Sequence, residues 1–143
     1  MREIKFRAWS EDTKEMFMVD EIMFSRVEET NKQFFVIKQL HKSWDGVTND
    51  YNQKYEKVGT DFFLMQYTGL KDKNDKEVYE GDILEVERFE NDDNPMEVVF
   101  EDASFYVKNK KRRVGIGRWY AGERIEVIGN IYENPTLANK ELN

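Results

Sequence analysis

Six basic residues, Lys108, Lys110, Lys111, Arg112, Arg113 and Arg118, fall in a stretch from Ala103 to Gly122 that contains no acid. Phe105 and Tyr106 precede the run, and Trp119 and Tyr120 follow it. Cations interleaved with aromatic rings are the residue types that track a phosphate backbone and stack on bases. Five or six phosphate contacts would make such binding fall steeply with salt. If Val107 faces Val114, the run tips a hairpin and projects into solvent as a charged finger. The same residues also keep a sheet edge from pairing indiscriminately, and they can meet acids of this chain or of a second copy. Lys108, Lys110, Lys111, Arg112, Arg113, Arg118, Trp119 and Tyr120 are therefore the candidate surface for nucleic acid or for an acidic partner.

The acids are segregated in the opposite sense. Asp72 to Asp102 holds thirteen carboxylates against Lys73, Lys76 and Arg88. Oxygen ligands for a hard cation are plentiful there. However, Asp72-x-Asn74-x-Lys76 breaks the EF-hand pattern at its fifth position, and Glu77 stands where that loop requires Gly. Glu85 and Glu87 share one face of a strand, the ordinary arrangement of a solvated surface. In Glu80-Gly81-Asp82, Gly81 suits a bulge or a close backbone approach, and Asp82 suits a turn cap.

Other chemistries are excluded by residue type. The chain has no Cys, which removes disulfides, thiolate zinc sites and thiol catalysis. His41 is the one His, so a two-His metal site is impossible, and no positioned partner for it stands nearby in the sequence. Gly115-x-Gly117 lacks the third Gly of a dinucleotide fingerprint, since Tyr120 occupies that place. No phosphate-binding P-loop sequence is present, and no two carboxylates stand out as a glycosidase pair. Trp9, Trp44 and Trp119 are read as packing residues.

Length and charge set the frame around these groups. The 143 residues carry a formal net charge of −7, which argues against a surface built throughout for nucleic acid or membrane. At 39% hydrophobic and 14% aromatic, the chain can build a core. The opening Met1-Arg2-Glu3-Ile4-Lys5 has charges where a signal peptide needs apolar residues, and no apolar run approaches a membrane span. The expected location is the cytoplasm, with no membrane partner.

Short strands must position the charged groups. Ile4 to Trp9 alternates with period two, and Met16 to Val19 reads as its return. Ile22 to Phe24 and Gln33 to Leu40 are further strands, whereas 42–59 reads as a loop or weak helix. Phe62 to Thr68, Val78-Tyr79, Ile83 to Phe89, Met96 to Phe100, Phe105 to Val107 and Ile125 to Tyr132 continue the series. Asn74-Asp75 is a tight turn tolerant of positive φ. Pro135 to Leu142 is the one short helical segment. Strands spaced by about ten residues with turn signals between them predict a mainly β barrel or sandwich with little helix.

Four blocks carry a family likeness. They are Ile4-Lys5-Phe6-Arg7-Ala8-Trp9, Leu64 to Asn74 with its Tyr67-Thr68-Gly69-Leu70, Val78-Tyr79-Glu80-Gly81-Asp82-Ile83, and Glu126 to Pro135 with its Ile128-Gly129-Asn130-Ile131-Tyr132. Together they resemble the YopX-like family of phage and prophage proteins along nearly the whole chain. Asp75 departs from the pattern, in which Gly commonly follows the Asn, at an expected cost of a few tenths of a kcal/mol. The resemblance implies a phage or prophage origin and a C-terminal SH3-like β-barrel. It carries no activity and no catalytic residue.

These readings combine into one expectation. The fold is mainly β, with an N-terminal β segment over 1–58 packing on an SH3-like barrel over 59–143, or the two forming one continuous domain. The chain is expected to be a non-enzymatic accessory protein of the bacterial host cytoplasm, without cofactor. It would bind a host or phage protein or assemble with itself. The alternative is a nucleic-acid-binding module built on Lys108 to Arg113, and a remote one is a carboxylate enzyme dependent on a divalent metal.

Overall fold

The computed structural model describes residues 3–26, 33–38, 40–44, 51–55, 62–87, 89, 94–117 and 124–137, with the backbone path alone for the strands between residues 23 and 55. The fold is mainly β, with thirteen strands among these residues and a short helical stretch at 135–137. Two compact units are present: Phe6–Leu64, and Met65–Asn143 together with Met1–Lys5.

The first unit is built of hairpins. β1 (Phe6–Ser10) pairs antiparallel with β2 (Glu15–Val19), from Phe6 opposite Val19 to Ser10 opposite Glu15. The Ser10 Oγ accepts the Thr13 N–H and the Ser10 carbonyl accepts the Lys14 N–H, closing the connection. Lys14 also pairs with Glu11, which accepts the Trp9 indole N–H at 3.0 Å. The Phe17 and Phe62 rings meet edge-on at 5.6 Å. β3 (Glu21–Arg26) pairs with β4 (Gln33–Lys38), and β5 (Leu40–Trp44) with β6 (Tyr51–Tyr55).

The last hairpin corrects the expectation of a loop or weak helix over 42–59. Lys42 faces Gln53 and Ser43 faces Asn52, so this ladder is largely polar. Backbone hydrogen bonds hold strands together regardless of side-chain type, and a ladder with no alternating apolar residues leaves no period-two signal. The Asp45-Gly46 and Asn49-Asp50 turn signals and Gly59 lie outside the described residues. The single strand expected over Gln33 to Leu40 is divided between β4 and β5.

β7 (Phe62–Lys71) leads into the second unit and pairs with β8 (Glu77–Tyr79). A curled, half-barrel sheet of five strands follows, in the order β12-β11-β10-β9-β13. These are β9 (Asp82–Val86), β10 (Met96–Glu101), β11 (Ser104–Lys108), β12 (Arg113–Gly115) and β13 (Ile125–Asn130). β9 to β12 form a meander, and β13 returns to the far side of β9. Alternation explains the inner face: Met96, Val98, Phe105 and Val107 are buried while Glu97, Tyr106 and Lys108 reach the other side. β9, between β10 and β13, buries Ile83, Leu84 and Val86 completely. With Val78 and Ile125 these residues make the core, against which Phe89, Val114, Ile116 and Val127 pack.

β9 stops at Val86 and does not run on to Phe89. The Phe89 N–H turns back to the Val86 carbonyl, and the Asn94 side-chain amide exchanges two hydrogen bonds with the Val86 backbone, at 2.9 and 3.0 Å. β13 carries a bulge between Val127 and Gly129 that leaves Ile128 exposed.

Candidate functional site

The basic run sits where its flanking valines place it. Val107 faces Val114 and Lys108 faces Arg113 across the β11–β12 hairpin, with 109–112 at its tip. Asn109 sets the turn: its N–H donates to the Arg112 carbonyl at 3.0 Å, and its Oδ1 accepts the Lys111 and Arg112 N–H groups at 2.9 and 3.0 Å. This Asx turn occupies backbone donors that a tight loop otherwise exposes. The Asn109 amide also donates to the Pro95 carbonyl at 3.4 Å. The tip is thereby anchored at its base, while Lys110, Lys111 and Arg112 are exposed.

The cations divide into two groups. Lys108 and Arg113, on the sides of the hairpin, are matched by acids of the neighbouring β10–β11 turn. Lys108 Nζ lies 2.5 Å from Glu101, and the Arg113 guanidinium lies 2.8 Å from Asp102 and 3.4 Å from Glu101. Hydrogen bonding to Asp102 holds Arg113 above its ordinary value. The same guanidinium lies 3.8 Å above the Tyr106 ring, a stacked cation–π geometry. Arg112 lies 4.9 Å from the Phe89 ring.

This arrangement bears on the aromatic half of the motif. Burial withdraws Phe105 from base stacking, and Arg113 occupies one face of Tyr106. Arg118, Trp119 and Tyr120 lie outside the described residues. Sequence reasoning missed Phe89 and Asn109 as parts of this surface, whereas a pairing of the basic run with acids of this chain was among its readings, and Glu101 and Asp102 are those acids. Asn109, between Lys108 and Lys110, was the readable turn signal, whereas Phe89 lies too far along the chain for any local pattern to reveal.

Beside the tip, sharing Phe89 with it, a cavity of about 230 Å³ is lined by Lys73, Glu85, Val86, Glu87, Phe89, Asn94 and Glu126. Glu85 and Glu87 are both exposed, as their strand spacing suggests. Lys73 spans the acids, 2.5 Å from Glu126 and 3.9 Å from Glu87. Among the described residues no group of three or more His, Cys, Asp or Glu side chains is placed to hold a metal ion. His41 is on β5, and its side chain lies outside the described residues.

The remaining motif blocks have structural employment. Asp72 is buried, and its Oδ1 accepts the Asn74 and Lys76 N–H groups at 2.8 and 2.9 Å. Its Oδ2 accepts the N–H of Val127, 55 residues away, at 2.9 Å. Burial pushes this carboxyl up, but the three N–H donors outweigh it and hold it below its ordinary value. Gly81 has φ +76°, and a Cβ there would meet Ile131 Cγ1 at 3.3 Å. Its N–H donates to the Val98 carbonyl and its carbonyl accepts the Ile131 N–H, while Asp82 accepts the Tyr79 N–H at 2.8 Å. Asn130 and Asn134 clasp the turn after β13: Asn130 Oδ1 accepts the Tyr132 and Glu133 N–H groups, and Asn134 Oδ1 accepts the Asn130 N–H.

Fold and surface together define a mainly β protein built around a curled five-stranded sheet that presents a cationic hairpin. The family model described as YopX protein matches residues 5–139, and the chain belongs to the YopX family. Among solved structures, the chain is similar to protein EF1440 from Enterococcus faecalis, with 27% identity, a TM-score of 0.60, and 96% of this chain and 99% of that one covered. It is also similar in fold to the protein yopX from Bacillus subtilis, with 24% identity, a TM-score of 0.55, and 93% and 94% covered. No curated protein matches the chain. No helix among the described residues is long and apolar enough to cross a membrane.

Proposed function

We propose that this chain is a non-enzymatic accessory protein of phage or prophage origin, working in the cytoplasm of a bacterial host as a protein-interaction module. The half-barrel sheet is, in this reading, an SH3-like barrel that serves as a rigid platform. Its working surface is the β11–β12 hairpin tip, and its partner is an acidic protein surface.

One observation carries the reading: the concentration of exposed cations at the hairpin tip. Lys110, Lys111, Arg112 and Arg113 are consecutive and all exposed on an ordered hairpin of a chain whose net charge is −7, with Arg113 braced by Asp102 and Glu101. Exposed opposite charges steer encounter and set partner choice more than they add affinity. Burial of Phe105 and the Arg113 guanidinium on one face of Tyr106 reduce the surface for base stacking, which favours a protein partner over a nucleic acid.

Affinity capture from host lysate, with and without nuclease, tests this. The triple variant Lys110→Glu/Lys111→Glu/Arg112→Glu is the control, since it leaves the Lys108–Glu101 and Arg113–Asp102 ion pairs in place. A discrete protein that survives nuclease and is lost in the variant is the expected result. Nuclease-sensitive recovery of nucleic acid would replace the reading with the nucleic-acid one. Recovery of this chain alone, with a solution mass above 17.2 kDa, would replace it with self-assembly.

A further inference from the structure

We infer that the outward edge of β12 takes up an extended acidic segment of the partner as an added strand; this rests on the interaction-module reading and names the chemistry of its partner. In an antiparallel ladder, successive residue pairs alternate between those that exchange hydrogen bonds and those whose N–H and C=O groups face away. The Asn109 N–H donates to the Arg112 carbonyl, and the Ile116 N–H donates to the Phe105 carbonyl. Val107 opposite Val114 falls between these two in register, so it is also an inward-bonding pair. Arg113 and Gly115 are the alternate residues. Their N–H and C=O groups point away from β11.

β12 is the last strand of its sheet, and no other described strand pairs with that edge. The other end of the sheet is managed differently. Along β13 the Lys73 N–H donates to the Ile125 carbonyl, and Asp72 accepts the Val127 N–H. One edge is therefore capped by the chain's own loop, whereas β12 has no such cap among the described residues. The side chain best placed to shield it, Arg113, is drawn over Tyr106 and held by Asp102. Among the described residues a Cβ built on Gly117 meets nothing within 4 Å, and one on Gly115 meets only Tyr106 Cε1, at 4.0 Å.

Charge selects the occupant. Lys110, Lys111 and Arg112 stand at the head of this edge. Two β12 edges pairing with each other would add cations to cations, which disfavours a second copy at this position. An acidic strand brings opposite charge to the same place. Main-chain bonds then supply affinity, and alternate side chains supply specificity.

The test uses the full chain and a blocked synthetic peptide of alternating Glu and Val, read by fluorescence anisotropy and amide hydrogen exchange. The peptide is expected to bind and to slow exchange at the Arg113 and Gly115 amides by about tenfold or more. Its Lys/Val counterpart is expected not to bind, and N-methylation of alternate peptide nitrogens is expected to abolish binding. Lys110→Glu/Lys111→Glu should weaken binding while leaving exchange in β9 and β10 unchanged. Equal binding of the N-methylated peptide would overturn strand addition while leaving a charge-driven interaction module standing. Failure of every peptide to bind would also overturn it, and if the capture experiment returned no tip-dependent protein, the module reading would fall with it. Binding of a mixed-sequence oligonucleotide in place of the peptide would overturn both in favour of nucleic acid.

Discussion

The Asp72 carboxylate joins two parts of the second unit, with Val127 on one oxygen and Asn74 and Lys76 on the other. Removing a buried acceptor strands three backbone donors, so Asp72→Ala should cost about 2–4 kcal/mol in urea unfolding. The pH dependence follows from the lowered value. The carboxylate's contribution is complete above its ordinary value of 3.8 and is lost as pH falls through the folded value. Thermal unfolding of Asp72→Asn should therefore differ most from the parent at neutral pH and converge with it in strong acid. Backbone angles yield a second residue-scale prediction. Asp102 and Ala103 have φ of +49° and +59° in the two-residue turn joining β10 to β11. Both positive values match the strand twist, but Ala tolerates them poorly. Ala103→Gly should raise stability by about 0.5–1 kcal/mol, measured as a shifted urea midpoint at constant slope. Asp75, at φ +64°, confirms the positive-φ turn expected at Asn74-Asp75.

Among the elements, hairpins were the most legible. Val107 and Val114 bracket a polar run, and local alternation with a turn signal was enough to set their register. The β5–β6 hairpin was not legible, because its polar strands carry no alternation. The turn after β13 was visible as a motif, but its reason was not. A Cβ on Gly129 would stand 2.6 Å from Asn134 Oδ1 and 3.3 Å from its Cβ. Asn134 would have to leave the Asn130 N–H, so Gly129→Ala should destabilise by about 1–2 kcal/mol through loss of this part-buried hydrogen bond. Gly129→Ala combined with Asn134→Gly should recover less than the full loss, because it relieves the clash without restoring the acceptor. Hydrogen exchange at the Asn130 amide separates the two contributions.

At the scale of the molecule, carboxylates pull the pH profile in opposite directions. Hydrogen bonds from Lys5 and then Tyr79 hold Glu77 below its ordinary value, adding to the acid-side loss of stability. Burial pushes Glu97 up, opposed by the Lys108 charge across the ladder. For Glu97 the sign reverses: its contribution is present below the ordinary 4.5 and is lost as pH rises through the folded value. Glu97→Gln cannot ionise, so its melting temperature relative to the parent should be higher at pH 7 than at pH 4. An equal difference at both would show that ionisation at this position is not what limits stability.

What the sequence determined by itself was local: strands from alternation, turns from Asn, Asp and Gly, the segregation of charge, and the blocks that mark a YopX-family chain. Those signals need only neighbouring residues, because period two and turn geometry repeat within a few positions. Tertiary structure alone decided that β13 returns to β9, that Asp72 reaches Val127, and that Arg112 settles beside Phe89. It also decided that Glu101 and Asp102 are the acids that meet Lys108 and Arg113. Long-range pairing is selected by shared burial and by backbone hydrogen bonds, and a backbone hydrogen bond has no residue type by which a sequence can announce it.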